Sequence, residues 1–179
     1  MWESGGAVMG VLGSWSAMRK YLERDMLAED MKGRVRYGCT TYTGMDGCHI
    51  FDISIDGRQI KRFSWETVNT WFISRGMKEE SAVTGVHGYW EGFWQLMDTV
   101  PMEKRTEYTD GEFCTALRIY RSQGIEESIA SDDPIVFMFA LLDRRTGRRT
   151  YQRLVSMAEK HPQWVRDIMD MRFGKRRIT

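Results

Sequence analysis

The sequence predicts an α+β fold: a three-stranded antiparallel meander packed against several helices, with a C-terminal half that is helical. Three observations carry this expectation. Residues 34–63 contain three short β-type runs separated by glycine-bearing turns. A helical pattern headed by Ser64 follows at once. Beyond residue 77 the apolar positions recur three and four residues apart, the spacing of a helix face, without sustained alternation.

Each element has its own local reason. Ser14 suits a helix start and Gly33 a helix exit, so residues 14–31 are expected to form one amphipathic helix with Met18, Tyr21, Leu22, Met26 and Leu27 on one face. In residues 34–42, Val35, Tyr37, Cys39 and Thr41 share one side of a strand. A turn over residues 43–47 leads to the second strand, residues 48–55, with His49, Phe51, Ile53 and Ile55 on one face. Asp56-Gly57 marks a two-residue hairpin, because both central positions of a type I′ turn need positive φ. Residues 58–63 return as the third strand.

Ser64 then caps residues 65–74, whose buried stripe is Val68, Trp71 and Phe72. Residues 78–86 read as a loop or a poor helical turn. Residues 89–100 are helical, stopped by Pro101, and residues 112–122 form another helix on Phe113, Ala116, Leu117 and Tyr120. Asp133-Pro134 opens a buried helix over residues 135–142 that continues into Asp143-Arg144-Arg145. Thr146-Gly147 breaks it, residues 148–160 resume, and residues 163–172 finish with Trp164, Val165, Ile168, Met169 and Met171 as apolar positions.

Length and composition limit the rest. A chain of 179 residues with 42% hydrophobic and 28% charged side chains fits one globular domain. We expect a flexible leader over residues 1–13 and a single domain over 14–179, divided into helix, meander and helix (14–76) and a mostly helical remainder (77–179). The apolar run 135–142 is far below the roughly 20 residues of a membrane-spanning helix, so no membrane partner is expected. Three cysteines, Cys39, Cys48 and Cys114, make no CxxC pair and suggest reduced thiols in a cytoplasmic protein.

No strong catalytic signature is present, and neither cofactor nor metal is expected. Asp46, Cys48, His49 and Asp52 form the densest polar cluster. A general-base role for His49, in a metal-dependent nuclease-type enzyme, would need a carboxylate beside it. On a strand His49 and Asp52 point to opposite faces, so a buried or interfacial histidine is the better reading. Cys39, Cys48, His49 and Cys114 lack the paired spacing of zinc ligands, and buried free thiols explain the cysteines more simply.

Charge is segregated although the net value is only +1. Residues 1–77 carry 10 basic and 9 acidic side chains, residues 78–133 carry 5 and 12, and residues 143–179 carry 11 and 4. Arg144, Arg145, Arg148, Arg149 and Arg153 crowd a helix junction, and Lys175, Arg176 and Arg177 lie near the end. Such clusters bind phosphate backbones or acidic protein surfaces; the alternative is a solvated face that pairs with the acidic middle. On this reading, Arg145→Glu with Arg149→Glu should weaken partner binding without unfolding the domain.

Three segments together, SWSAMRKYLE, YGCTTYTGMDGCHIFDISIDGRQIKRFSWETVNTWF and DDPIVFMFALLDRRTGRRT, resemble a widespread, largely uncharacterised family of small proteins from Firmicutes chromosomes, plasmids, integrative elements and phages. The chain also resembles anti-CRISPR proteins of that mobile-element pool. The resemblance implies a non-enzymatic inhibitor that binds a type II RNA-guided DNA nuclease and blocks DNA targeting or cleavage. The acidic segment 78–133 would then imitate nucleic acid, while the arginine junction holds DNA or an acidic lobe. The alternative is a DNA- or RNA-binding accessory protein that uses the arginine junction.

Overall fold

The computed structural model describes residues 13–41, 49–79 and 85–174. The α+β architecture is as expected. Strands β1 (Val35–Thr41), β2 (His49–Ile55) and β3 (Arg58–Phe63) form an antiparallel sheet in the order β1-β2-β3. Asp56 and Gly57 both have positive φ, 53° and 78°, as the hairpin requires. Arg34 locks this corner with two hydrogen bonds to the Asp56 carboxylate, at 2.9 and 2.8 Å.

One face of the sheet is apolar. Val35, Tyr37, Phe51, Ile53, Ile55 and Phe63 are buried on it. Phe51 stacks on Phe113 at 4.7 Å between ring centroids and meets Trp15 at 5.2 Å. An extra residue, Ile60, interrupts the β2-β3 register, so that Lys61 lies opposite Ile53 on the buried side. Burial lowers the Lys61 pKa, while the Glu107 carboxylate, 2.6 Å away, opposes that shift.

The first helix is shorter than expected. Helix α1 spans Trp15–Lys20, capped by Ser14, and then widens into a π-helical turn at Tyr21–Asp25. Helical winding stops there because residues 26–28 pair with the distant end of a buried helix. The Met26 carbonyl accepts from Arg144 N at 2.8 Å, and Ala28 N donates to the Leu142 carbonyl at 2.9 Å. The turn also aims Glu23 at the open edge of β1, where its carboxylate accepts from Tyr37 N at 2.8 Å.

Beyond the sheet come α2 (Trp65–Ser74), α3 (Gly85–Thr99), α4 (Asp110–Ser122), α5 (Ile125–Ile129), α6 (Pro134–Leu142), α7 (Tyr151–Ala158) and α8 (Gln163–Phe173). Helix α4 begins two residues before the expected start. Thr109 and Glu112 form a reciprocal capping box, with Glu112 N to Thr109 Oγ1 at 3.1 Å and Thr109 N to Glu112 Oε2 at 2.8 Å. Helix α5 was not foreseen; the Glu127 carboxylate accepts from Gly124 N at its head, at 2.8 Å.

Helices α4 and α8 pack against the sheet, and α6 runs through the core between α4, α5 and α8. Every residue of α6 is buried, so its terminal backbone groups must be satisfied internally. Asp133 accepts from Ile135 N and Val136 N at the N-terminus, at 2.8 and 3.2 Å. The other end stops at Leu142 and does not continue into residues 143–145, because Asp143 takes extended backbone angles and bridges to Leu27. Thr146 Oγ1 donates to the Ala140 carbonyl, Arg172 to the Leu141 carbonyl, and Ala28 N to the Leu142 carbonyl.

Helices α2 and α3 make a second apolar cluster. Val68, Trp71 and Phe72 face Phe93 of α3, not the main core, with Trp65, Trp90, Trp94, Leu96 and Met97 around them. The chain leaves the sheet at Ser64 and rejoins it at Tyr108. Ser64 N donates to the Tyr108 carbonyl at 2.9 Å, and Phe63 bridges Tyr108.

Candidate functional site

The arginine junction lies where α6 ends. Asp143, only 1% exposed, organises it. Its carboxylate accepts from the Tyr120 hydroxyl, from Arg145 N at 2.7 Å and from the Arg145 guanidinium at 2.6 to 3.1 Å. These bonds hold the Arg145 pKa above its ordinary value, and burial together with Asp143 raises that of Tyr120. Arg145 is therefore committed within the chain. Arg145→Glu would remove the partner of the buried Asp143 carboxylate, so it is expected to cost stability as well as to affect binding.

The five junction arginines thus divide. Arg153 pairs with Glu126 of the acidic middle, in an exposed bridge of the kind worth about 0–1 kcal/mol. Arg144, Arg148 and Arg149 are exposed and have no carboxylate partner among the described residues. Their backbone is nonetheless fixed. Arg144 N is tied to Met26, and Thr146 is buried. Thr150 Oγ1 closes the short 3-10 turn Arg148–Thr150 by donating to the Gly147 carbonyl at 2.8 Å. Lys175, Arg176 and Arg177 lie outside the described residues, as do Asp46, Cys48 and the 43–47 turn.

Two clefts flank Arg144. One, about 260 Å³, is lined by Tyr21, Asp25, Tyr120, Arg121, Asp143 and Arg145 as well as Arg144. The other, about 360 Å³, includes Glu29, Asp30, Arg148, Tyr151 and Arg172. Arg172 is a buried cation that sequence reasoning did not single out. It donates to the Leu141 and Thr146 carbonyls and, at 2.6 Å, to Thr146 Oγ1. Burial lowers its pKa. The signal was present: Val165, Ile168, Met169 and Arg172 stand at i, i+3, i+4 and i+7, so an arginine occupies the apolar stripe.

His49 and Asp52 lie on opposite faces of β2, as their spacing requires. His49 stacks on Phe51 at 5.9 Å with an interplanar angle of 8°, and Asp52 shares the opposite face with Arg62; the carboxylate near His49 is instead that of Asp110, which accepts from the His49 backbone N–H at 3.3 Å. Cys39 and Cys114 are free thiols, and among the described residues no three His, Cys, Asp or Glu side chains gather as a metal site. No described helix is long and apolar enough to cross a membrane. The acidic middle is partly used inside the chain: Glu107 meets Lys61, Glu112 meets Arg105, and Glu126 meets Arg153.

Residues 14–173 match the SF0329 protein family. The chain belongs to that family. The match covers the sheet, the arginine junction and every described helix. No curated protein and no solved structure matches the chain.

Proposed function

We propose that this protein acts by binding a polyanionic partner through the face formed by Arg144, Arg148 and Arg149. One observation carries the reading: Arg144, Arg148 and Arg149 are exposed with no carboxylate partner among the described residues, on a stretch anchored by the Arg144 N to Met26 carbonyl bond and by buried Thr146. A guanidinium recognises phosphate by forked hydrogen bonds, and its planar fork loses less freedom per bond formed than a lysine ammonium does. A nucleic-acid backbone is the partner that this chemistry fits directly. The mobile-element resemblance proposes a more specific version, in which the polyanion belongs to a type II RNA-guided DNA nuclease complex and the protein is its inhibitor.

The test is fluorescence anisotropy with a labelled oligonucleotide over a salt series. Arg148→Gln with Arg149→Gln should weaken binding and flatten the log-log salt slope by roughly 1.4, two phosphates at about 0.7 each on a single strand. An unchanged slope removes the face from the reading. Adding the protein to type II nuclease cleavage reactions tests the inhibitor version, which falls if cleavage proceeds at the same rate for every nuclease tried.

A further inference from the structure

The 260 Å³ cleft differs from an ordinary solvated surface in three ways. One wall is the π-helical turn Tyr21–Asp25, a rare winding that recurs at functional sites. The pairing of residues 26–28 with residues 142–144 sets this winding, so the wall is shaped by the junction it faces. The opposite wall is the junction, and the two are joined by the Arg144 N to Met26 carbonyl bond and the Leu27–Asp143 bridge, so the cleft is preformed. At its floor, the Asp143 charge is already answered by Arg145 and Tyr120.

What remains is cationic. Arg121 and Arg144 have no carboxylate partner among the described residues, and the only acid left on the lining is Asp25, which is exposed. Arg121 lies over the ring of Tyr21, 5.4 Å from its centroid, leaving a flat cation-aromatic surface beside the two guanidiniums.

We infer that this cleft seats one phosphate of a single-stranded nucleic acid between Arg121 and Arg144, with the neighbouring base against the Arg121 guanidinium plane that lies over the Tyr21 ring. The inference rests on the polyanion reading and adds a subsite, two residues and a strand class to it. Phosphate and carboxylate both suit paired guanidiniums. The Arg121 guanidinium plane over the partly buried Tyr21 ring decides for a nucleic acid, because a base can stack on that plane and an acidic side chain cannot. Arg121 belongs to α4, in the otherwise acidic middle of the chain, so the subsite draws its charge from two separate segments.

The experiment measures binding of an oligothymidylate of about ten residues to the full chain by anisotropy at low salt. Arg121→Gln is compared with Arg118→Gln, an exposed arginine one turn earlier on α4 that does not line the cleft. Arg121→Gln should weaken binding roughly tenfold, as loss of a charge-assisted contact does, and Tyr21→Leu severalfold, with Arg118→Gln within about twofold. In the wild-type protein, the Arg121 and Arg144 Nε–H resonances should shift on adding the oligonucleotide, which needs no variant to fold.

Equal effects of Arg121→Gln and Arg118→Gln, or unmoved Arg121 resonances, overturn the subsite. If Arg148→Gln with Arg149→Gln still weakens binding in that case, the broader face survives alone. Absence of any oligothymidylate binding removes both. Equal competition by poly-glutamate assigns the cleft to an acidic protein instead, and pyrophosphate binding as tight as the oligonucleotide eliminates the stacking component.

Discussion

Replacing Arg172 by methionine tests whether the buried end of α6 depends on one guanidinium. Arg172 is 8% exposed and supplies donors to the Leu141 and Thr146 carbonyls and to Thr146 Oγ1. The substitution fills most of the volume but strands two buried carbonyls, each at a cost of about 1–3 kcal/mol. Against this stands the arginine's own burial, which the lowered pKa reflects and which methionine does not pay. The expected loss is therefore about 2–4 kcal/mol. Urea unfolding followed by fluorescence of the seven tryptophans reads it directly. In thermal unfolding the loss amounts to a drop of roughly 5–15 °C for a chain of this size. Arg172→Lys, which keeps the charge but not the fork, should recover less than half. A methionine variant within about 1 kcal/mol of wild type, or full recovery by lysine, would refute this view of the helix end.

Three further outcomes are expected. Phe51→Ala should cost about 3–5 kcal/mol in urea unfolding, because it empties the contact with Phe113 and Trp15; a loss under about 1 kcal/mol contradicts the face assignment. His161 is 4% exposed and stacked on Phe137 at 4.4 Å, and burial lowers its pKa. Its contribution is complete above the unfolded value of about 6.5 and is lost as pH falls through the lowered folded value. The urea midpoint should drop between pH 7.5 and 5.5 and drop less in His161→Phe; parallel pH profiles count against it. Burial pushes the Cys114 thiol up to about 12. Its stabilising share is complete below the unfolded value of about 8.5 and is lost as pH rises toward the folded one. Native protein at pH 8 should leave Cys114 unalkylated until urea is added, as mass spectrometry of the peptide would show, and rapid native alkylation opposes this.

The sheet was legible because its signals are local. Period-two alternation around Phe51, Ile53 and Ile55 and the Asp56-Gly57 turn need no knowledge of the rest of the chain. The Asp133-Pro134 start of α6 was equally plain, being a cap and a proline side by side. What was not legible depends on partners far away in sequence. The π-helical turn at Tyr21–Asp25 exists because residues 26–28 pair with residues 142–144, and nothing in YLERD announces that. Alternation puts Lys61 on the face of Phe63, but the one-residue slip that sets Lys61, and not Ile60, opposite Ile53 has no signal in the sequence. At the junction, sequence density placed five arginines together but could not separate Arg145 and Arg153, which have partners, from Arg144, Arg148 and Arg149. It also passed over Arg121, which joins them only through the packing of α4 against α6.

The meeting of Ser64 with Tyr108 makes the intervening stretch a detour that starts and finishes at one point. The apolar cluster that it carries, around Trp71 and Phe93, is distinct from the cluster around Phe51 and Phe139. A detour of this kind can open while the rest stays closed, since no strand of the sheet has to part. Hydrogen exchange should accordingly sort the chain into two cooperative units, with the amides of α2 and α3 exchanging at lower free energy than those of β2 and α6. The arginine junction belongs to the slower unit, so opening of the detour leaves the binding face in place.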